Sequence, residues 1–281
     1  MNKIKQIKTT GLLLVCILIL FTLYPDISHS QYLRYEVVQG DTISILRFPN
    51  HDKVDVQINS TVEVNKSINY NYSLTSEPTS EQNIYDFKII TESNISDISS
   101  PKNWSSFTEG TIPGISWGAI DSTNMLAPRK SLSGFSFTSD DLPSITNYSV
   151  RGWAPVPRVE VEPDSIENYS YSDDSKKGFT IGPGIQPGEI VPNTHIDSIQ
   201  AFLDRSCTEL EWITNQGICR SLEAKLDNVQ KQLGRGNTKA ASGPLRAFLN
   251  ELEALNEKKI SSEAYALLYF NGQYLLEQIT Q

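Results

Sequence analysis

Beyond residue 30, the side chains capable of nucleophilic or metal chemistry reduce to two histidines, His51 and His195, two cysteines, Cys207 and Cys219, and scattered carboxylates. Zinc asks for clustered histidine, cysteine or acidic ligands, and these four residues are spread along the chain, so no metal site is expected. A serine–histidine–aspartate triad needs an imidazole oriented by a carboxylate. His51 has Asp52 beside it, but neighbours along a strand point to opposite faces, and His51 reads as a surface residue. Asp140-Asp141 and Asp173-Asp174 are the obvious acidic pairs for glycoside hydrolysis or calcium. Both fall in turn or linker sequence without the spaced Asp/Asn/Gly pattern of a calcium loop, and read as solvated turns. The expectation is therefore a protein that is not an enzyme, with no catalytic residue, no metal ligand and no cofactor; a hydrolase with a carboxylate pair is the alternative.

Aromatic side chains offer a second kind of chemistry, since flat rings stack on the apolar faces of sugars. Trp104, Trp117 and Trp153 fall among many tyrosines between residues 31 and 182. Trp117 lies in an alternating run and reads as internal. Trp104 follows Pro101 in apparent loop sequence and is the residue expected to contact a ligand. Sequons at Asn59, Asn65, Asn71, Asn94, Asn103, Asn147 and Asn168 fall in the same region.

Two kinds of element must position these groups. From residue 31 to about 182 the apolar residues alternate: Val54, Val56 and Ile58, then Tyr70 and Tyr72, then Tyr85, Phe87 and Ile89. Further strands are expected at 33–38, 43–48, 116–120, 132–137 and 145–150, with a last one at 178–181. Many short strands separated by turn-rich runs predict an antiparallel all-β sandwich. A linker follows at 183–195, at the end of a proline-rich and acidic stretch that begins near residue 154. From 196 to 279 the period changes to three and four. Ile218, Leu222, Leu226, Val229 and Leu233 line one helix, Leu245, Phe248, Leu249, Leu252 and Leu255 the next, and Ala264, Leu267, Leu268, Leu275 and Ile279 a fourth, after a first at Ile199, Phe202, Leu203 and Leu210. Gly234 and Gly236 are expected to end the second helix in left-handed conformation, Asn237 or Thr238 to cap the third, and Ser261 to cap the fourth. Gly243-Pro244 should kink the third helix or delay its start to about Ser242, and Asn271-Gly272 should weaken the fourth by roughly 1 kcal/mol per such residue. Four helices with short links predict an antiparallel bundle.

The position of the turn between the first two helices decides what the cysteines do. If the first helix ends near Leu210, Cys207 and Cys219 lie level on adjacent antiparallel helices, six residues to either side of Ile213. If it runs to Thr214 they are offset by roughly 8 Å at 1.5 Å per residue, too far for a bond that needs Cα atoms within about 7 Å. The run Ile213 to Gly217 reads as turn, so a Cys207–Cys219 disulfide is predicted. Two buried thiols are the alternative.

Residues 1–30 have the pattern of a secretory signal peptide: Lys3, Lys5 and Lys8, an apolar run from Gly11 to Tyr24, and a small-x-small site at Ser28-His29-Ser30. No other segment is apolar enough to span a membrane. Export would put the cysteines in an oxidising setting. The formal charge is −9, and without the first 30 residues Lys+Arg falls from 24 to 21 and Asp+Glu from 33 to 32, leaving −11. Such a chain repels phosphate, and nucleic acid is not an expected partner.

Ile213-Thr214-Asn215, Gly217, Ser221-Leu222, Lys225-Leu226, Arg235-Gly236-Asn237 and the Leu245, Phe248, Leu252 ladder resemble the FIMAH domain, a helical module near the C-termini of secreted bacterial proteins. The resemblance implies an accessory or interaction module without catalytic residues. The order of strands and turns from Ser67 onward, through Pro101 and Trp104, is also similar to sandwich domains of secreted bacterial surface proteins. The second resemblance implies no activity; the first, with the lack of catalytic clusters, leads to the expectation of a secreted or cell-surface binding or interaction protein whose partner the sequence does not name, a protein or a cell-surface glycan being the candidates. A carbohydrate-binding surface protein using exposed sandwich aromatics is the alternative.

Overall fold

The computed structural model describes residues 32–39, 42–108, 113–154, 174–189, 191–256 and 258–280. The expected signal peptide, Asp173 and the Asn168 sequon lie outside the described residues. β1 (Tyr32–Gln39) and β2 (Thr42–Pro49) pair antiparallel as a two-stranded sheet of their own, and they belong to a compact unit separate from the rest of the described chain. The sequence pattern puts both strands in a sandwich spanning 31–182, whereas they pair only with each other, because alternation identifies a strand but not the sheet it joins.

The second unit begins at His51 and contains two antiparallel sheets followed by four helices. One sheet has the order β11 (Lys176–Ile185), β10 (Leu142–Gly152), β5 (Ile84–Ile89), β8 (Ile115–Ala119), β7 (Trp104–Phe107). The other has the order β3 (Val56–Val64), β4 (Ile68–Ser76), β9 (Ser131–Ser139), β6 (Ser96–Ser99). Period-two alternation along β4 turns Ile68, Tyr70, Tyr72 and Leu74 inward. There Phe87 stacks on Trp117 at 5.5 Å and Phe135 meets both rings edge-on, geometries favoured by the aromatic quadrupole. The buried hydroxyls stay satisfied: Tyr72 donates to the Ile181 carbonyl at 3.0 Å across the sandwich, and Tyr70 to the Asp141 carbonyl at 2.7 Å.

α1 (Pro192–Thr208), α2 (Gln216–Leu233), α3 (Thr238–Leu255) and α4 (Ser262–Thr280) each pack on the next, and α1 packs on α4. The core holds Leu222, Leu226, Val229 and Leu233 from α2 against Leu245, Phe248 and Leu252 from α3. Asn215 caps α2 by accepting from the Gly217 and Ile218 amides, Asn237 caps α3 through the Ala240 amide, and the Ser261 hydroxyl accepts from the Ala264 amide. Gly236 is left-handed at φ +71, whereas Gly234 has right-handed helical φ −63. α3 begins at Thr238, ahead of Gly243-Pro244, because the Asn237 cap fixes its start and Ala241 and Leu245 are buried on either side of the proline.

α4 also lies against the sandwich, touching β3, β10 and β11. β3 and β11 are the edge strands on one side of the two sheets and touch each other, so the helix covers the seam between them. Ala266 and Leu267 meet Ile181, Val62 and Ile145 there.

Candidate functional site

The end of the five-stranded sheet where β5 stops, β10 starts and β11 stops forms an open groove of about 710 Å³. Side-chain to backbone hydrogen bonds hold its walls. Thr91 donates to the Pro183 carbonyl at 3.0 Å, Thr146 donates to the Ile90 carbonyl, and the Ser93 amide donates to the Thr91 hydroxyl at 3.1 Å. Gly114, at φ +132, passes so close to Ile89 that a Cβ there would sit 2.1 Å from its carbonyl oxygen; only glycine allows that approach.

The groove lining combines Ile90, Ile145 and Ile185 with Glu92, Ser93, Asp141, Ser144 and Gln186, and includes no Lys, Arg or His. The lining is more polar than apolar, so hydrogen bonds rather than burial of apolar surface would hold a ligand there. Two carboxylates and no cation favour a neutral or positively charged ligand over an anion. The groove draws in Asp141, whereas its neighbour Asp140 is exposed.

Trp104 is placed elsewhere. It is 5 % exposed, packs edge-on against Phe135 at 5.3 Å, and its indole N–H donates to the Asn124 carbonyl at 3.0 Å. The ring begins β7 instead of standing in a loop, and so buried it has no open face for a sugar, which corrects the ligand-contact reading. Trp117 is fully buried, as its alternating run implies, and Trp153 is 45 % exposed.

Neither described histidine is a surface residue. His51 is 6 % exposed, because its ring turns inward to the Gly152 carbonyl at 2.6 Å and to Asp174 Oδ2 at 3.9 Å. Its acidic neighbour in space is Asp174 and not the adjacent Asp52. Burial lowers the His51 pKa; the Gly152 carbonyl raises it, Arg151 lowers it and Asp174 raises it. Asp174, 2 % exposed, is no solvated turn residue. Burial pushes its carboxyl up, while His51, Arg151 and its own backbone N–H pull it down and Asp52 pushes it up. His195 Nε2 donates to the Asn271 carbonyl at 3.2 Å, and burial lowers its pKa. Among the described residues no group of three His, Cys, Asp or Glu side chains could hold a metal ion.

Cys207 and Cys219 form a disulfide with Cα atoms 6.2 Å apart. α1 stops at Thr208 and the Leu210 amide turns back to the Arg205 carbonyl; this early end sets the cysteines level.

The docking role of the polar residues joining α4 to the sandwich is not marked in the sequence, where Asn271 reads only as a weak point of the helix. Glu263 Oε1 accepts from the Ser60 amide at 2.6 Å and the Ser60 hydroxyl at 3.2 Å, and that hydroxyl lies 3.0 Å from Thr180 Oγ1. The Asn271 amide donates to the Pro143 and Leu267 carbonyls, and Tyr274 donates to the Pro187 carbonyl at 2.6 Å. Gly272 is no defect in the helix, for a Cβ there would come within 3.0 Å of Leu249: its absence lets α3 approach. The signal that could have revealed this docking is that α4 has charges only at Glu263 and Glu277 and lacks a polar face.

No curated protein matches the chain. Among solved structures, an uncharacterized protein from Nocardia farcinica, whose crystal structure is described as revealing an immunoglobulin-like fold, aligns at 7 % identity over 43 % of this chain and 96 % of its own, with a TM-score of 0.27. Residues 196–277, which take in nearly all of the four helices, match the family model described as the FIMAH domain.

Proposed function

We propose that the chain is a secreted or cell-surface binding protein without catalytic activity, in which the sandwich contacts the partner and the helical module is an accessory held against it. The observation that carries this reading is the open groove at the sheet end, with hydrogen-bonded walls and a lining of hydroxyls, an amide and carboxylates. The FIMAH match at 196–277 and the disulfide are consistent with extracellular work. A second reading, binding of a neutral or amino-bearing glycan, is favoured by the same lining, because paired acceptors suit vicinal hydroxyls. It would rely on hydrogen bonds and the isoleucines, since two of the sandwich tryptophans are buried.

The test is a panel of glycans, cell-wall fragments and extracellular proteins offered to the whole chain and to its Glu92→Gln and Ser144→Ala variants. Binding weakened roughly tenfold in either variant, about 1.4 kcal/mol, supports the groove. Binding unchanged in both moves the site elsewhere. Turnover of a polysaccharide or peptide, lost in Glu92→Gln or Asp141→Asn, would replace the reading with the hydrolase.

A further inference from the structure

We propose that the sandwich is N-glycosylated during export, with Asn65 and Asn94 as the acceptors. Eleven asparagines fall between residues 31 and 182, and seven of them have serine or threonine two positions on. Serine and threonine make up 35 of those 152 residues, so chance alone accounts for two or three such pairs. None of the seven asparagines from 192 to 281 begins a sequon. The excess is confined to the sandwich region, and the six described sequon asparagines are all exposed or half-exposed. Asparagines outside the motif show no such restriction: Asn50 is 8 % exposed and Asn271 is fully buried.

Four of the six are engaged or crowded. Asn59 Oδ1 accepts from the Ser262 hydroxyl of α4 at 3.0 Å, and Asn103 Nδ2 donates to Asn124 Oδ1 at 2.7 Å. Asn71 lies on β4 between β3 and β9, and its Oδ1 accepts from Asn69 at 3.5 Å. Asn147 lies opposite Phe179 of β11, over whose ring the Arg205 guanidinium of α1 sits at 4.9 Å. Asn65 and Asn94 differ: among the described residues none bonds to either side chain. Asn65 is exposed in the tight turn joining β3 to β4, where its own amide donates to the Ser67 carbonyl at 3.1 Å. Asn94 is exposed in the loop between β5 and β6. A sugar on either projects into solvent and displaces no strand. Both also have an exposed acid two residues before the asparagine, Glu63 and Glu92, which none of the other five sequons has. A carboxylate there gives the transferring enzyme a charged handle beside the hydroxyl.

The donor is a sugar activated as a phosphate ester of a membrane lipid. Asparagine Nδ2 attacks its anomeric carbon, and a C–N bond forms as the C–O bond to phosphate breaks. The lipid phosphate leaves with the electron pair, and one amide proton passes to a base of the transferase. The hydroxyl of Ser67 or Ser96 is the group the transferase reads, since it can both donate and accept. Each addition turns an exposed amide into a bulky, hydrated surface group, so the sandwich is coated while the bundle stays bare. Asn94 follows the groove residues Glu92 and Ser93, which puts its sugar at the groove rim, whereas Asn65 follows β3 of the other sheet. Modification at these two positions does not depend on the groove holding a ligand.

Glycopeptide mass spectrometry on the protein exported by its native host tests this. Sugar is expected on the peptides holding Asn65 and Asn94 and at no other sequon. Asn65→Gln and Asn94→Gln should each remove the mass of one sugar chain, and the double variant should have the bare polypeptide mass. Ser67→Thr and Ser96→Thr keep the hydroxyl and should keep the sugar. Bare Asn65 and Asn94 in the wild type overturn the proposal. So does sugar that persists in the double variant, which would place it on hydroxyls or at the other sequons. Should a variant not fold, the wild-type glycopeptide map decides by itself.

Discussion

The Glu263 carboxylate is buried where a surface helix would present a solvated acid, and two donors from one residue, Ser60, hold it there. Removing the acid strands the Ser60 amide, while the Ser60 hydroxyl keeps Thr180 Oγ1, so Glu263→Ala is expected to cost about 1 to 3 kcal/mol, the scale for leaving a buried donor unpaired. Glu263→Gln keeps an acceptor and should lose less. Equal losses in chemical denaturation would show that packing, not the hydrogen bonds, carries the contact. Gly114 presents a sharper steric limit: Gly114→Ala must leave φ +132 or displace the Ile89 carbonyl, with an expected cost of at least about 2 kcal/mol, and a stability change under about 0.5 kcal/mol would contradict the backbone placement. The disulfide closes a separation of 12 residues. Replacing both cysteines by serine is expected to lower stability by about 3 kcal/mol in the chain-entropy model, and finding two free thiols in denatured, unreduced protein would remove the bond altogether.

Among the elements, α4 has two jobs, one face closing the bundle and the other covering the β3–β11 seam. Asn271 sits on the second face, and Asn271→Leu is expected to loosen the docking by about 1 to 3 kcal/mol by leaving the Pro143 carbonyl without its donor. A cut by a glutamate-specific protease after Glu189, between β11 and α1, that comes no sooner in the variant than in the wild type would argue against it. Local periods made α2 and α3 legible in the sequence, because their buried leucines recur every three or four residues on one face. β4 was legible for the same reason with period two. β6 and β7 were not: each has four residues, and every residue in β6 is exposed. The groove, the burial of His51 and the docking of α4 depend on residues far apart in the chain, and periodicity says nothing about such pairings. Trp104 misled because proline and asparagine beside it signal a turn, which is present, while the ring itself points back into the sandwich.

At the scale of the whole molecule, contacts across the seam decide whether sandwich and bundle unfold apart or together. A linker of exposed residues would let each melt alone, which is the expectation for modules joined by flexible chain. Here Ile181, Ala266 and Leu267 share a buried cluster, Glu263 and Asn271 bond to β3 and β10, and Tyr274 donates to Pro187 between the two parts. Either half unfolding alone would expose this apolar surface and strand these polar groups, so the two should unfold in one transition. Near-ultraviolet circular dichroism follows the stacked Trp117 and its neighbours in the sandwich, and far-ultraviolet circular dichroism follows the helices. The expectation is coincident midpoints for both signals, both shifted downward together when the Cys207–Cys219 disulfide is removed, although that bond touches only α1 and α2. Two resolved transitions, with the sandwich signal unmoved by loss of the disulfide, would mean that the seam contacts are too weak to couple the halves.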